Sequence, residues 1–281
     1  MKKIQTLAVT ALLGLATVLS VSGCEAEDVT SALDEILGEE TTTETVTETV
    51  IDETVAQSGD TGDLEWSANL APDYYLVTGT ANVNFDLDEG DFYYCNLDQL
   101  GRAGCAVSVM TTSTREDAKS TDRADIGSFS PTGWGYNEKV EIPSASPGVE
   151  GNYKGWFYNR SHMIADSLGG EAALENLVTG TRTQNVGNRN NQGGMAYTET
   201  IARDYLDSPE AIGCPLYYAV EAQYDGDDLV PKTTTVDMKT AETNTSTGEA
   251  CEASIDMHVI VFNSANGYVV DYATGEFASA N

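Results

Sequence analysis

The chain has 281 residues, enough for one domain of about 200 residues with further segments attached. A hydrophobic content of 41% and a mean hydropathy of -0.28 fit a soluble globular body. The formal net charge of -31 excludes long-range attraction of a polyanion by the molecule as a whole.

Residues 1–24 read as a targeting segment. Lys2 and Lys3 form a positive start, Leu7 to Val21 is an apolar run too short for a good spanning helix, and Val21-Ser22-Gly23-Cys24 is similar to a bacterial lipobox. Cys24 is the expected lipidation site, a diacylated cysteine being sufficient for stable anchoring; a plain secretory signal is the other reading. Residues 25–62 read as a tether. From Glu25 to Glu65 there is no Lys or Arg, and the Thr/Glu run from Thr41 to Thr49 has too little apolar surface to bury a core.

The globular body is expected over residues 63–281. Tyr74 to Ala81 and Ala106 to Met110 carry strand-like residues, and Ser113 to Asp125 is polar, loop-like or briefly helical. Pro131 to Trp134 is a turn and Ser144 to Asn152 a Pro/Gly-rich loop. Trp156 to Tyr158 reads as a strand, with Asn176 to Thr179 as its partner. Gly187 to Gly194 is a Gly/Asn loop able to approach a ligand closely, and Ala196 to Leu206 reads as a helix. Cys214 to Tyr224, Met257 to Phe262 and Tyr268 to Tyr272 are further strands. The class is α+β, with a mixed or antiparallel sheet and a central ββα unit. Setting Cys24 aside leaves Cys95, Cys105, Cys214 and Cys251. Local spacing favours Cys95–Cys105 and Cys214–Cys251 among the three possible connectivities.

The chemistry concentrates between Trp156 and Arg203. One of only two histidines, His162, follows Asn159, Arg160 and Ser161, and precedes Asn185, Glu199 and Arg203. A neutral imidazole can take a proton from water. A carboxamide oxygen suits a hard cation such as Mg²⁺, and guanidinium groups clamp phosphate oxygens. Between Gly151 and Leu206 five basic residues offset five acidic ones, so this segment is locally neutral, and salt screens the remaining charge over about 10 Å. An acidic surface of this kind is also known as an adaptation to high salt.

Asn159-Arg160-Ser161-His162, Leu168-Gly169-Gly170, Glu175 to Asn185 and Met195 to Arg203 resemble, in order and spacing, the ββα-metal nucleases. They are most similar to the streptococcal-type DNA/RNA non-specific endonucleases, which include nucleases of DNA uptake. Leu97 to Arg102, Ile126 to Trp134 and Val270 to Gly275 extend the resemblance to roughly Leu64 through Ala280. It implies a ββα-metal finger in which His162 is the general base and Asn185 holds Mg²⁺, with Mn²⁺ as a substitute. Glu199 would orient water on the metal, and Arg203 would contact phosphate. Arg160 would bind phosphate or brace the site, Asn159 would orient the motif, and Arg182, Arg123 and Arg189 are weaker phosphate candidates. Cleavage would leave 5′-phosphates. As an unperturbed imidazole, His162 would lose activity below about pH 6 to 6.5. His258, alternating on a strand, reads as structural.

One position departs from the family pattern. Ser161 stands where the family usually has Gly. If φ there is positive, Ser carries a penalty of about 1 kcal/mol; otherwise the exchange is harmless. The expected substrate is extracellular DNA, with RNA as a further candidate, cut without sequence preference, because phosphate contacts carry no base information. The expected setting is the bacterial cell surface, with the membrane engaged through Cys24 and no obligate protein partner. Two rivals are a surface-binding lipoprotein on a decayed nuclease fold, and an exported nuclease toxin.

Overall fold

The computed structural model describes residues 64–146, 148, 151–188 and 192–280, all within the unit spanning residues 51–281. The expectations for Cys24, for the tether and for Arg189 lie outside the described residues. None of the described helices is long and apolar enough to cross a membrane.

The strands are β1 (Tyr75–Gly79), β2 (Phe92–Tyr94), β3 (Cys105–Met110), β4 (Lys139–Ile142), β5 (Tyr153–Trp156), β6 (Tyr158–His162), β7 (Leu177–Thr181), β8 (Leu216–Gln223), β9 (Thr233–Thr240), β10 (Asp256–Phe262), β11 (Tyr268–Val270) and β12 (Phe277–Ser279). The helices are α1 (Thr112–Ser120), α2 (Arg182–Val186) and α3 (Met195–Leu206). Six strands form one antiparallel sheet in the order β1-β10-β9-β8-β3-β2. Three antiparallel pairs stand outside it: β4–β5, β6–β7 and β11–β12. The class is α+β, and β6, β7 and α2 form the expected ββα unit.

The main core lies on one face of the large sheet. Ala106, Met110, Leu216, Tyr218, Val220, Val236, Met238, Val259 and Val261 meet Met163, Ile164, Leu168 and Val178 of the ββα segment and Met195, Ala202, Tyr205 and Leu206 of α3. The residues flanking His162 are therefore anchored in the core, while His162 itself sits at its margin. Truncating a buried anchor such as Leu168 to Ala would cost ~2–5 kcal/mol. A second cluster, with Ile142, Phe157, Tyr158 and Ala265 at its centre, joins the β4–β5 hairpin to β11 and β12, with Phe157 stacked on Phe277.

Two expectations change, and one open reading is resolved. The central strand β9 was not read from the sequence: Thr233-Thr234-Thr235-Val236-Asp237-Met238-Lys239-Thr240 has only Val236 and Met238 as apolar residues, yet all but Lys239 are buried. Trp156 and Tyr158 do not form one strand. Trp156 ends β5 and pairs with Lys139, whereas β6 runs on to His162 and pairs Tyr158 with Thr181 and His162 with Leu177. Residues 112–120 form a true helix because Thr111 caps it: its side chain accepts from Thr114 N while Thr114 Oγ1 accepts from Thr111 N. The two disulfides favoured by spacing, Cys95–Cys105 and Cys214–Cys251, are formed.

Candidate active site

Strand β7 is buried along its whole length and carries β6 on one edge. Asn263 fixes the other side: its carboxamide accepts from Thr181 N (2.8 Å) and donates to Thr179 O (3.0 Å) and Pro231 O (2.8 Å). The loop after His162 is closed by a second carboxamide. Asn176 accepts from Ile164 N (2.8 Å) and donates to Ile164 O and Glu171 O (2.9 Å each). These two buried asparagines position the site, and sequence reading missed them because Asn ordinarily signals a turn. The only available signal was that each borders a strand of apolar residues.

The polypeptide then turns directly into α2. Thr181 caps it, accepting from Gln184 N at 3.0 Å, and so sets where Asn185 falls. Glycines bring α3 against α2: a Cβ on Gly194 would lie 2.1 Å from Gln184 O, and one on Gly193 would lie 2.4 Å from Asp73 O. Gly194 also has φ 57°, a conformation that disfavours any side chain. Asn185 on α2 and Glu199 on α3 thus depend on this glycine pair.

His162 is 8% exposed. Burial and the positive charge of Arg123 push its pKa down to about 4, against the opposing pull of Asp166. The expected loss of base below about pH 6 to 6.5 is therefore corrected: this imidazole stays neutral well below that range. Glu199 is also enclosed, with a side chain 13% exposed. Burial pushes its pKa up to about 6, opposed by Arg203 and Arg123. Arg123 thus acts electrostatically on both groups from the segment after α1. That helix is held by Asp207, which accepts from Arg115 Nε at 3.0 Å and Nη2 at 3.1 Å and pairs with Lys119 at 2.5 Å. Arg115 Nη1 also donates to Ser167 O at 2.6 Å.

Arg203 donates to Ser167 Oγ at 3.1 Å, to Thr200 Oγ1 at 2.8 Å and to Glu199 Oε2 at 3.5 Å. The pair is more than a solvated surface ion pair, since Arg203 also ties α3 to the turn that follows His162. Ser161 is fully buried and donates to Asn185 Oδ1 at 3.1 Å. Among the described residues other than glycine only Tyr74 has positive φ, so Ser161 is unstrained. Its side chain fits because its diagonal neighbour on the ribbon, two residues beyond its partner Val178, is Gly180, where a Cβ would meet Ser161 Cβ at 2.7 Å.

The remaining candidates separate from this cluster. Arg160 lies over the Trp134 ring at 4.1 Å and donates from Nε to Phe129 O, which is the bracing geometry. Arg182 lies over the Tyr153 ring at 4.8 Å, and burial lowers its pKa; its guanidinium faces the β4–β5 hairpin. Asn159 pairs with Gly180 along the ribbon. His258 Nδ1 meets Asp237 Oδ1 at 2.8 Å on the large sheet, and that carboxylate raises its pKa.

Could the site hold a hard cation? Asn185 Oδ1 spends one lone pair on Ser161 and has a second to offer. Among the described residues no group of three or more His, Cys, Asp or Glu could hold a metal ion. A closed zinc site of nitrogen and sulfur ligands is therefore not built here, whereas a hard ion that retains most of its waters fits a lone carboxamide oxygen.

Residues 136–242, which include His162, Asn185, Glu199 and Arg203 but not Arg123 or Asn263, match the DNA/RNA non-specific endonuclease family. A deoxyribonuclease of Streptococcus dysgalactiae subsp. equisimilis is 25% identical, over 72% of this chain and 72% of its own. The structure of Sda1 nuclease with bound zinc ion superposes with a TM-score of 0.66 at 28% identity, covering 76% of this chain and all of that one. NucA from Streptococcus agalactiae with magnesium ion bound shares the fold at a TM-score of 0.52 and 24% identity, covering 72% of this chain and 84% of that one. The match over residues 136–242 and these relatives make the chain a nucleic-acid hydrolase similar to the DNA/RNA non-specific endonucleases.

Proposed function

We propose that the chain hydrolyses phosphodiester bonds of extracellular DNA, and of RNA, without sequence preference and with a divalent hard cation, Mg²⁺ or Mn²⁺, held by Asn185. The observation that carries this reading is the environment of His162, which is enclosed beside Arg123 and kept neutral, as a general base must be. His162 takes the proton of the attacking water. Arg123 and Arg203 face the phosphate oxygens, and Glu199 holds Arg203 in place while accepting from water. Ser161 keeps the Asn185 oxygen turned toward the cation site. When bound, the cation neutralises charge that builds on the phosphorus oxygens and the leaving 3′ oxygen.

Arg160 braces the loop through Phe129 and Trp134 in this reading, and Arg182 serves the hairpin beside the site. A magnesium-bound and a zinc-bound nuclease among the similar structures support a divalent requirement. The lipobox at Cys24 supports display at the bacterial cell surface on the acidic tether, with residues 63–281 as the nuclease domain. Asn185→Ala tests the assignment. Calorimetric Mg²⁺ binding and plasmid cutting should fail together, while the circular dichroism spectrum is kept. Cutting retained at the wild-type Mg²⁺ requirement would remove Asn185 from the role.

A further inference from the structure

Basic side chains are scarce in this molecule. Residues 63–281 contain 12 Lys and Arg against 33 Asp and Glu. Most cations whose partners are defined are neutralised by carboxylates: Arg102 by Asp98, Arg115 and Lys119 by Asp207, Arg203 by Glu199, Lys232 by Asp225 and Lys239 by Glu242. Around the β4–β5 hairpin, where Lys154 pairs with Glu141, cations also rest on aromatic rings. Three of the four cation–aromatic contacts among the described residues fall here: Arg160 over Trp134, Arg182 over Tyr153 and Lys139 over Trp156. The exposed Lys139 ammonium, resting on the Trp156 ring, keeps its charge available, and that contact is weaker than the grip of phosphate oxygens.

The β4–β5 hairpin presents this chemistry outward. Strand alternation puts Val140, Ile142, Tyr153 and Gly155 on the inner face and Lys139, Glu141, Lys154 and Trp156 on the outer face. The inner face is built to allow this. Tyr153 lies across Gly155, where a Cβ would meet its hydroxyl oxygen at 2.2 Å, and its OH donates to Trp156 O at 3.1 Å. Trp156 is left 51% exposed, with the Lys139 ammonium 5.5 Å from its ring centre. Lys154 pairs with Glu141 at 3.1 Å, an exposed contact that a phosphate can replace.

We propose that this outer face is a second nucleic-acid contact, at which Trp156 stacks an unpaired base while Lys139 and Lys154 hold the adjoining phosphates. An indole face accepts any base, and a base inside a duplex cannot reach it without leaving its stack. The surface therefore selects single strands, or the unpaired ends and bubbles of duplexes. It lies six residues before His162, at most about 20 Å of extended chain, so a strand of a few nucleotides spans both. The proposal rests on the nuclease reading, because it places this strand on the way to the hydrolytic site.

The test is fluorescence anisotropy of the full-length chain in EDTA, so that nothing is cut, with labelled oligo-dT of about 12 nucleotides and a duplex of equal length. Trp156→Ala should raise the single-strand Kd about tenfold and the duplex Kd less than about twofold, and Trp156→Tyr should restore single-strand binding to within about threefold. An unchanged single-strand Kd, or an equal rise for both probes, would overturn the proposal. Because binding is read without cleavage, a chain that shows the expected binding pattern but never cuts would count against the nuclease reading and for this surface.

Discussion

Ser161 Oγ donates to Asn185 Oδ1 across 3.1 Å, joining the residue before the candidate base to the candidate cation ligand. The bond fixes which end of the carboxamide faces outward, a choice that Asn alone leaves open. A chain with Gly at this position has no such bond. Ser161→Ala should therefore raise the Mg²⁺ concentration needed for half-maximal cutting by about 2–10-fold, the equivalent of one net hydrogen bond. Ser161→Gly should do the same and also lower stability, since Gly weakens a strand interior. An unchanged Mg²⁺ requirement in Ser161→Ala would show that the bond does not orient Asn185.

The two histidines should titrate far apart. Burial and Arg123 hold His162 at about 4, while Asp237 raises His258 above its ordinary value. With only two imidazoles in the chain, a nitrogen–proton correlation series over pH resolves each one. His162 should remain neutral from pH 7 down to about pH 5, taking up its proton only as the pH approaches 4. A midpoint near 6.5 for both would contradict the enclosed-base geometry.

An acid limb of activity near pH 6 would then belong to Glu199 and not to His162. Glu199 ionises only as the pH rises through about 6. In Glu199→Gln that limb should disappear from the pH–rate profile and the maximal rate should fall about 10-fold or more, from loss of the anion holding Arg203. A limb unmoved by the substitution would assign it elsewhere.

Glu199 should also cost stability. Its folded pKa lies above the value of 4.5 for an ordinary Glu, so the folded state binds the proton more tightly than the unfolded state. Stability therefore declines as pH rises from about 4.5 to about 6, and the deficit, up to about 2 kcal/mol, persists at neutral pH. Glu199→Gln should accordingly be more stable than wild type in urea at pH 7.5, by about 1–2 kcal/mol, and no more stable at pH 4. Destabilisation at both pH values would indicate that the Arg203 contact outweighs the burial of charge.

The site was more legible in the sequence than its supports. His162, Asn185, Glu199 and Arg203 carry functional groups in an order that few structural roles require, and the i,i+4 spacing of Glu199 and Arg203 gave their shared helix face directly. The distant partners were hidden. Arg123, itself a phosphate candidate in the sequence, owes its place beside His162 and Glu199 to the packing of α1 against Ser167 and Asp207 and to the contact of Ala124 N with Asp166 Oδ1 at 3.4 Å. Asn176 and Asn263 satisfy buried backbone groups, a role visible only once the strands are paired. Strand β9 escaped notice because its buried polar residues find partners elsewhere in the chain. Thr234 accepts from Gln184, and Asp237 accepts from Asn82 N and meets His258. Periodicity registers apolar faces and cannot register polar residues that the fold will satisfy.

Plasmid cutting by the full-length chain with Mg²⁺, with EDTA, and with His162→Ala in Mg²⁺ tests the central assignment most directly. The account predicts cutting in the first case only, with His162→Ala reduced by at least about 100-fold and its fold intact. Cutting by His162→Ala at the wild-type rate, or undiminished cutting in EDTA, would contradict it.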